Sequence, residues 1–135
     1  NALKDHQLTS DENHLIFSEN QTDQVKNIAD YYLGLNNRPD GIFAINDAFA
    51  IEMVYHLRRE KIRIPEDIAI VGFNNELVSE FVDPPLTSVD SPANQLGEEA
   101  ARLLLRHIND GELKPTVKVL KSKLVIRKSS LKKGI

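Results

Sequence analysis

The sequence predicts an α/β fold: a mainly parallel open sheet with helices on both faces. Three observations carry the prediction. Short apolar runs rich in isoleucine, valine and phenylalanine alternate with stretches whose apolar residues recur at helical spacing. The run Ile68-Ala69-Ile70-Val71 is continuous, as in strands covered on both faces. Strands that alternate with helices are joined by right-handed crossovers, which make neighbouring strands parallel.

The elements follow in order. His14 to Phe17 (HLIF), after the turn-like Thr9-Ser10-Asp11, predicts a first short strand. Gln21 to Leu35 predicts a helix, because Val25, Ile28, Ala29, Tyr32 and Leu33 fall on one face. Asn20 is suited to cap it and Gly34 to end it. Arg38-Pro39-Asp40-Gly41 is turn chemistry, and Ile42 to Ile45 is the strand it launches. A helix from Asp47 to about Arg59 would bury Ala50, Met53, Val54 and Leu57. The turn Ile64-Pro65-Glu66-Asp67 leads into the strand Ile68–Val71, and a short helix is expected around Glu76 to Phe81. Asp83-Pro84-Pro85 breaks that helix, and Leu86 to Val89 is a further strand. Ser91-Pro92 is a cap followed by proline at the first helical position. The helix it starts carries Leu96, Ala100, Leu103, Leu104 and Ile108 to a stop at Asp110-Gly111. Thr116 to Lys128 reads as one or two strands.

Bulk properties narrow the function. A chain of 135 residues with 41% hydrophobic residues fits one packed domain or one large lobe. No apolar run approaches the roughly 20 residues of a membrane helix, so no membrane partner is expected. There is no cysteine, hence no disulfide framework, and a reducing compartment is compatible. The chain opens on Asn1 and its sole methionine is Met53, inside a predicted helix, so further sequence is expected upstream. The net charge of −3 hides an asymmetry: all twenty acidic residues lie between Asp5 and Glu112, and eight basic residues follow. Such a block can mark a nucleic-acid-binding tail. Here Val117, Val119, Leu120, Leu124, Val125 and Ile126 are interleaved with the lysines and aromatics are missing, so a basic packing strand is the better reading.

In open parallel sheets, ligands bind beyond the carboxyl ends of the strands, where loops enter helix N-termini. Three polar pairs stand at such ends: Glu19-Asn20, Asn46-Asp47 and Asn74-Asn75. Amides donate and accept and carboxylates accept strongly, a set suited to the hydroxyls of a sugar or nucleoside, with Phe73 as an apolar wall. The same residue types are the preferred helix caps, so each can equally serve only to satisfy the first N–H groups of the next helix. Catalytic readings find less support. The four histidines lack metal-ligand spacing, and no serine lies in a G-x-S-x-G elbow. Neither Gly-rich phosphate cradle is present. No enzyme activity, metal or cofactor is expected.

Three long segments resemble the LacI/GalR family of bacterial transcription regulators. RPDGIFAINDAFAIEMVYHLRREKIRIPEDIAIVGFNN is similar to that family's segment around ND and G-[FY]-D; PPLTSVDSPANQLGEEAARLLL and the closing LVIRKSS match two more, in the family's order. The match runs from about Asn20 to Ser130. It implies that residues 1–135 form the C-terminal lobe of an effector-binding core of the type I periplasmic-binding-protein kind. The helix 92–110 would then be a crossover helix and 116–128 the C-terminal strands, with the DNA-binding helix-turn-helix absent from this chain. It further implies a cytoplasmic regulator, a small-molecule effector of carbohydrate type, a homodimer, and operator DNA bound only through the missing N-terminal domain. By resemblance the effector contacts are Asn46 with its neighbour Asp47, Asn74 where the family usually has aspartate, Ser91 where glutamine is usual, and Glu19 or Asn20 after the first strand. A lobe of a periplasmic sugar-binding transport protein is the alternative of the same fold. Leu96, Leu103 and Leu104 need a partner surface, so the last helix is expected to fold back on its own sheet or to be covered by a second chain.

Overall fold

The computed structural model describes residues 2–8, 11–17, 24–110 and 116–132. Among them the helices are α1 (Ala2–Asp5), α2 (Gln24–Gly34), α3 (Asp47–Arg59) and α4 (Ala93–Asp110). The strands are β1 (Gly41–Phe43), β2 (Ala69–Phe73), β3 (Thr87–Asp90) and β4 (Lys123–Val125). They form one sheet in the order β1-β2-β3-β4. β1, β2 and β3 are parallel, with Ile42 beside Ile70 and Phe73 beside Val89. β4 runs antiparallel to β3, with Leu124 opposite Val89.

The core forms where the helical and strand periodicities meet. Val25, Ala29 and Tyr32 are the buried positions of α2, and Asp47, Ala50, Met53, Val54 and Leu57 those of α3. α2 packs on α3, and α3 packs on β2. Ile70 and Gly72 of β2 are buried, while the alternating Ala69, Val71 and Phe73 are half-buried. Met53, Leu57, Ile68, Ile70 and Leu86 are fully removed from water. Each such side chain contributes about 1.5–3 kcal/mol of burial free energy.

The C-terminal tail is tied to the sheet by Ser129, which is fully buried between β2 and β3. Its hydroxyl donates to the Ile70 carbonyl at 2.6 Å and accepts from the Thr87 N–H at 2.8 Å. Its own carbonyl accepts from the Ile70 N–H at 2.8 Å.

One expectation is corrected. His14–Phe17 is not a strand. Glu12–His14 is a 3-10 turn capped by the Asp11 carboxylate, which accepts from the Asn13 N–H at 2.9 Å. The Tyr31 and Tyr32 hydroxyls of α2 donate to the carbonyls of Asn13 (3.2 Å) and His14 (3.0 Å). The 3-10 bonds of the His14 and Leu15 N–H groups and the Tyr32 bond to the His14 carbonyl thus occupy backbone groups that a ladder would have used. Of the two arrangements expected for α4, folding back on its own sheet is not the one adopted: Leu96, Leu104, Leu105 and Ile108 are exposed. Its Leu96, Glu99, Ala100 and Leu103 line an open hollow together with Thr116, Val117, Lys118 and Leu120, and across it the Lys118 ammonium donates to Glu99 at 2.7 Å.

Candidate functional site

Because β1, β2 and β3 are parallel neighbours, their carboxyl ends open on one rim. Three of the singled-out residues stand along it in strand order. Asn46 follows β1, Asn74 follows β2 and Ser91 follows β3. Glu19 and Asn20 lie outside the described residues.

Asn46 caps α3. Its backbone is extended (φ −153°, ψ 162°), and its Oδ1 accepts from the Phe49 N–H at 2.7 Å. That bond satisfies one of the unpaired N–H groups of the first turn. The side chain is half-buried, and its Nδ2 has no hydrogen-bond partner among the described residues. Capping therefore uses the oxygen and leaves both amide donors at the rim.

Asn74 ends β2 in a left-handed conformation (φ 99°), and Asn75 continues it (φ 52°). The Asn74 N–H still joins the sheet by donating to the Val89 carbonyl at 2.9 Å. Its side chain is exposed and makes no hydrogen bond among the described residues. Ser91 is half-buried, its carbonyl accepting from the Ala93 N–H at 2.8 Å. Its hydroxyl makes no hydrogen bond among the described residues. Phe73, at the end of β2, is half-buried.

Asp47 lies beneath the rim. It is fully buried at the start of α3. One carboxylate oxygen accepts from the Ser88 hydroxyl at 2.6 Å. The other accepts from the Glu76 N–H and the Ser79 hydroxyl, each at 2.7 Å. Charge-assisted bonds to three donors offset the cost of burying a carboxylate. Its neighbour in space is Gly72, where an added Cβ would stand 2.2 Å from Asp47 Oδ1. The glycine is what admits the carboxylate to the β2 backbone.

Ser79, Ser88, Gly72 and Arg127 were not singled out in the sequence as parts of this region. The serines are too common to stand out. Arg127 is separated from Asn75 by more than fifty positions, although it sits within the recognisable LVIRKSS segment. Beside the rim, an apolar hollow of about 90 Å³ is lined by Ile16, Ile28, Tyr32, Ile42, Phe49 and Met53, among others. Among the described residues no group of His, Cys, Asp or Glu could hold a metal ion. Among the same residues no helix is long and apolar enough to cross a membrane.

Comparison with known proteins gives this geometry a context. Residues 3–130 match the family described as the periplasmic binding protein-like domain. The HTH-type transcriptional repressor PurR of Vibrio atlanticus is 36% identical over 109 residues, 81% of this chain and 33% of that protein. The chain spans about a third of the length of the curated relatives it matches. Among solved structures, the complex of the transcriptional regulator CelR with cellobiose superposes with a TM-score of 0.86 at 31% identity, covering 96% of this chain and 39% of that one. A LacI family regulator from Lactobacillus casei with bound sucrose gives a TM-score of 0.76 at 25% identity, covering 95% of this chain and 47% of that one. The chain belongs to the periplasmic binding protein-like family and, within it, to the effector-binding domains of LacI/GalR transcription regulators.

Proposed function

We propose that the chain is the C-terminal lobe of the effector-sensing domain of a transcriptional repressor, and that its strand-end rim is one wall of a carbohydrate site. The observation that carries the reading is the alignment of Asn46, Asn74 and Ser91 at the carboxyl ends of three adjacent parallel strands. Two amides and a hydroxyl without side-chain partners on their outward groups match the donor and acceptor pattern of sugar hydroxyls. The cellobiose and sucrose complexes of the related regulators support the carbohydrate class. Asp47 belongs to this site as the residue that holds the two loops in place beneath the contact groups.

The second wall would come from a lobe outside this chain, reached through α4 as a crossover helix, with β4 returning to the sheet. Ligand between the lobes would favour one lobe arrangement and pass that preference, through a homodimer, to operator-binding heads outside the chain. Effector recognition then needs both walls. Calorimetry on the 135-residue chain alone with common mono- and disaccharides is expected to show no binding tighter than micromolar.

Asn46→Ala in the full-length protein is the decisive test. It should abolish the sugar response while lowering stability by about 1 kcal/mol, the scale of a lost cap. An Asn46→Ala protein that responds to sugar as before would remove the rim from the effector site.

A further inference from the structure

The Asn74–Asn75 turn poses a physical problem. Two consecutive residues hold left-handed backbone conformations (φ 99° and 52°); asparagine tolerates this region better than other side chains with a Cβ, but two in succession still need support. Asn74 is exposed and its side chain makes no bond that would fix it. Its own N–H is held by the Val89 carbonyl, and the side-chain bonds that fix the turn run through its neighbour. The Asn75 N–H donates to the Ser88 hydroxyl at 3.0 Å, and Ser88 in turn donates to Asp47. The Asn75 Oδ1 accepts from Arg127 Nη2 at 2.8 Å.

Arg127 is built for this task. Its side chain is only 12% exposed. One nitrogen, Nη1, donates to the Leu86 carbonyl at 2.8 Å; the other, Nη2, reaches both Asn75 and the Glu80 carboxylate, the latter at 3.1 Å. A rigid guanidinium fork holds the Leu86 carbonyl, just before β3, and the turn in one fixed plane, a geometry that a rotatable ammonium on a flexible stem does not impose. Its backbone is anchored as well, the N–H donating to the Thr87 hydroxyl at 2.8 Å.

We propose that Arg127 is a positioning residue for effector recognition: it clamps Asn75 from the C-terminal segment and thereby holds Asn74 at the rim. The proposal rests on the reading of the rim as an effector site. Its consequence is that Arg127, which follows β4 and lies outside the loops carrying Asn46, Asn74 and Ser91, sets the affinity of the site. The network Arg127–Asn75–Ser88–Asp47 also ends one residue from Asn46, so the two amides flanking the site share a single buried support.

The test compares Arg127→Gln with the wild type in the full-length protein by residue-resolved amide hydrogen exchange and by calorimetry with cellobiose, glucose and sucrose. The expected result is exchange faster by about tenfold or more at Asn74, Asn75 and Glu76, the order of one lost bond to a charged group, with α2 unchanged. Any of the three sugars that binds the wild type should bind the variant about tenfold more weakly or worse. Asn75→Gly removes the same link from the turn side while tolerating the positive φ, and should reproduce both effects; it decides the matter if Arg127→Gln does not fold. Equal acceleration in α2 and in the turn, or none in either, overturns the proposal, as does a loosened turn with unchanged sugar affinity. If the wild type binds none of the sugars, the carbohydrate reading fails on its own, and the exchange pattern alone decides whether Arg127 positions the turn.

Discussion

The Asp47 carboxylate accepts a hydrogen bond from the Ser88 hydroxyl at 2.6 Å with both residues fully buried. The contact joins the first turn of α3 to the middle of β3, two elements separated in the sequence by about forty positions. β2 lies between the parallel neighbours β1 and β3, and its Gly72 is the gap through which the carboxylate passes. The loops that end β1 and β2 are therefore braced from below by one side chain.

Replacing that carboxylate by its amide isostere tests the brace. In Asp47→Asn an NH2 group must face either Ser88 or the pair formed by Ser79 and the Glu76 N–H, all of which are donors. At least one donor is left unsatisfied in a buried place. The expected cost is about 1–3 kcal/mol, read from urea unfolding midpoints. A variant within a few tenths of a kcal/mol of the wild type would show that the buried carboxylate adds nothing to stability.

Gly72→Ala approaches the same contact from the strand. The new Cβ would lie 2.2 Å from Asp47 Oδ1 and 3.1 Å from Leu86 Cδ2, and both of those side chains are fully buried. Neither can swing away, so the cost should reach or exceed the about 1–3 kcal/mol typical of overpacked cores. If the clash with Asp47 is the cause, the double variant Gly72→Ala/Asp47→Ala should be less destabilised than the sum of its single changes. Strict additivity would assign the cost to Leu86 or to the strand itself.

A third prediction concerns acid. Arg63 donates to the Asp67 carboxylate through its backbone N–H (2.8 Å), Nε (2.9 Å) and Nη2 (2.5 Å). These hydrogen bonds hold the Asp67 carboxyl well below its ordinary value of 3.8. A depressed folded-state value means that the contribution to stability is complete above the unfolded value and is lost as pH falls through the folded one. Asp67→Asn should therefore lower the melting temperature at neutral pH and flatten its fall below about pH 4. Parallel melting curves for wild type and variant from neutral pH down to strong acid would rule out the linkage.

Much of this protein was legible in the chain as written. Helix α3 begins and ends where periodicity and caps place it, because Asn46 caps locally and Ala50, Met53, Val54 and Leu57 share one face whatever they pack against. The alternation of strands and helices forces parallel neighbours, and parallel neighbours bring Asn46, Asn74 and Ser91 to one edge. Only the tertiary structure decided the rest. His14–Phe17 has the composition of a strand, yet strand formation depends on a partner and on bonds not already taken, and its first carbonyl, that of His14, accepts from Tyr32 of α2. The apolar stripe of α4 is equally plain in the sequence, but whether it is covered depends on surfaces beyond its own sheet. Asn46 and Asp47 look alike as strand-end polar residues; one faces the rim and the other the interior because successive residues at a helix start point in different directions. The donors around Asp47, and the reach of Arg127 to Asn75, join residues far apart along the chain, and no local pattern records such a meeting.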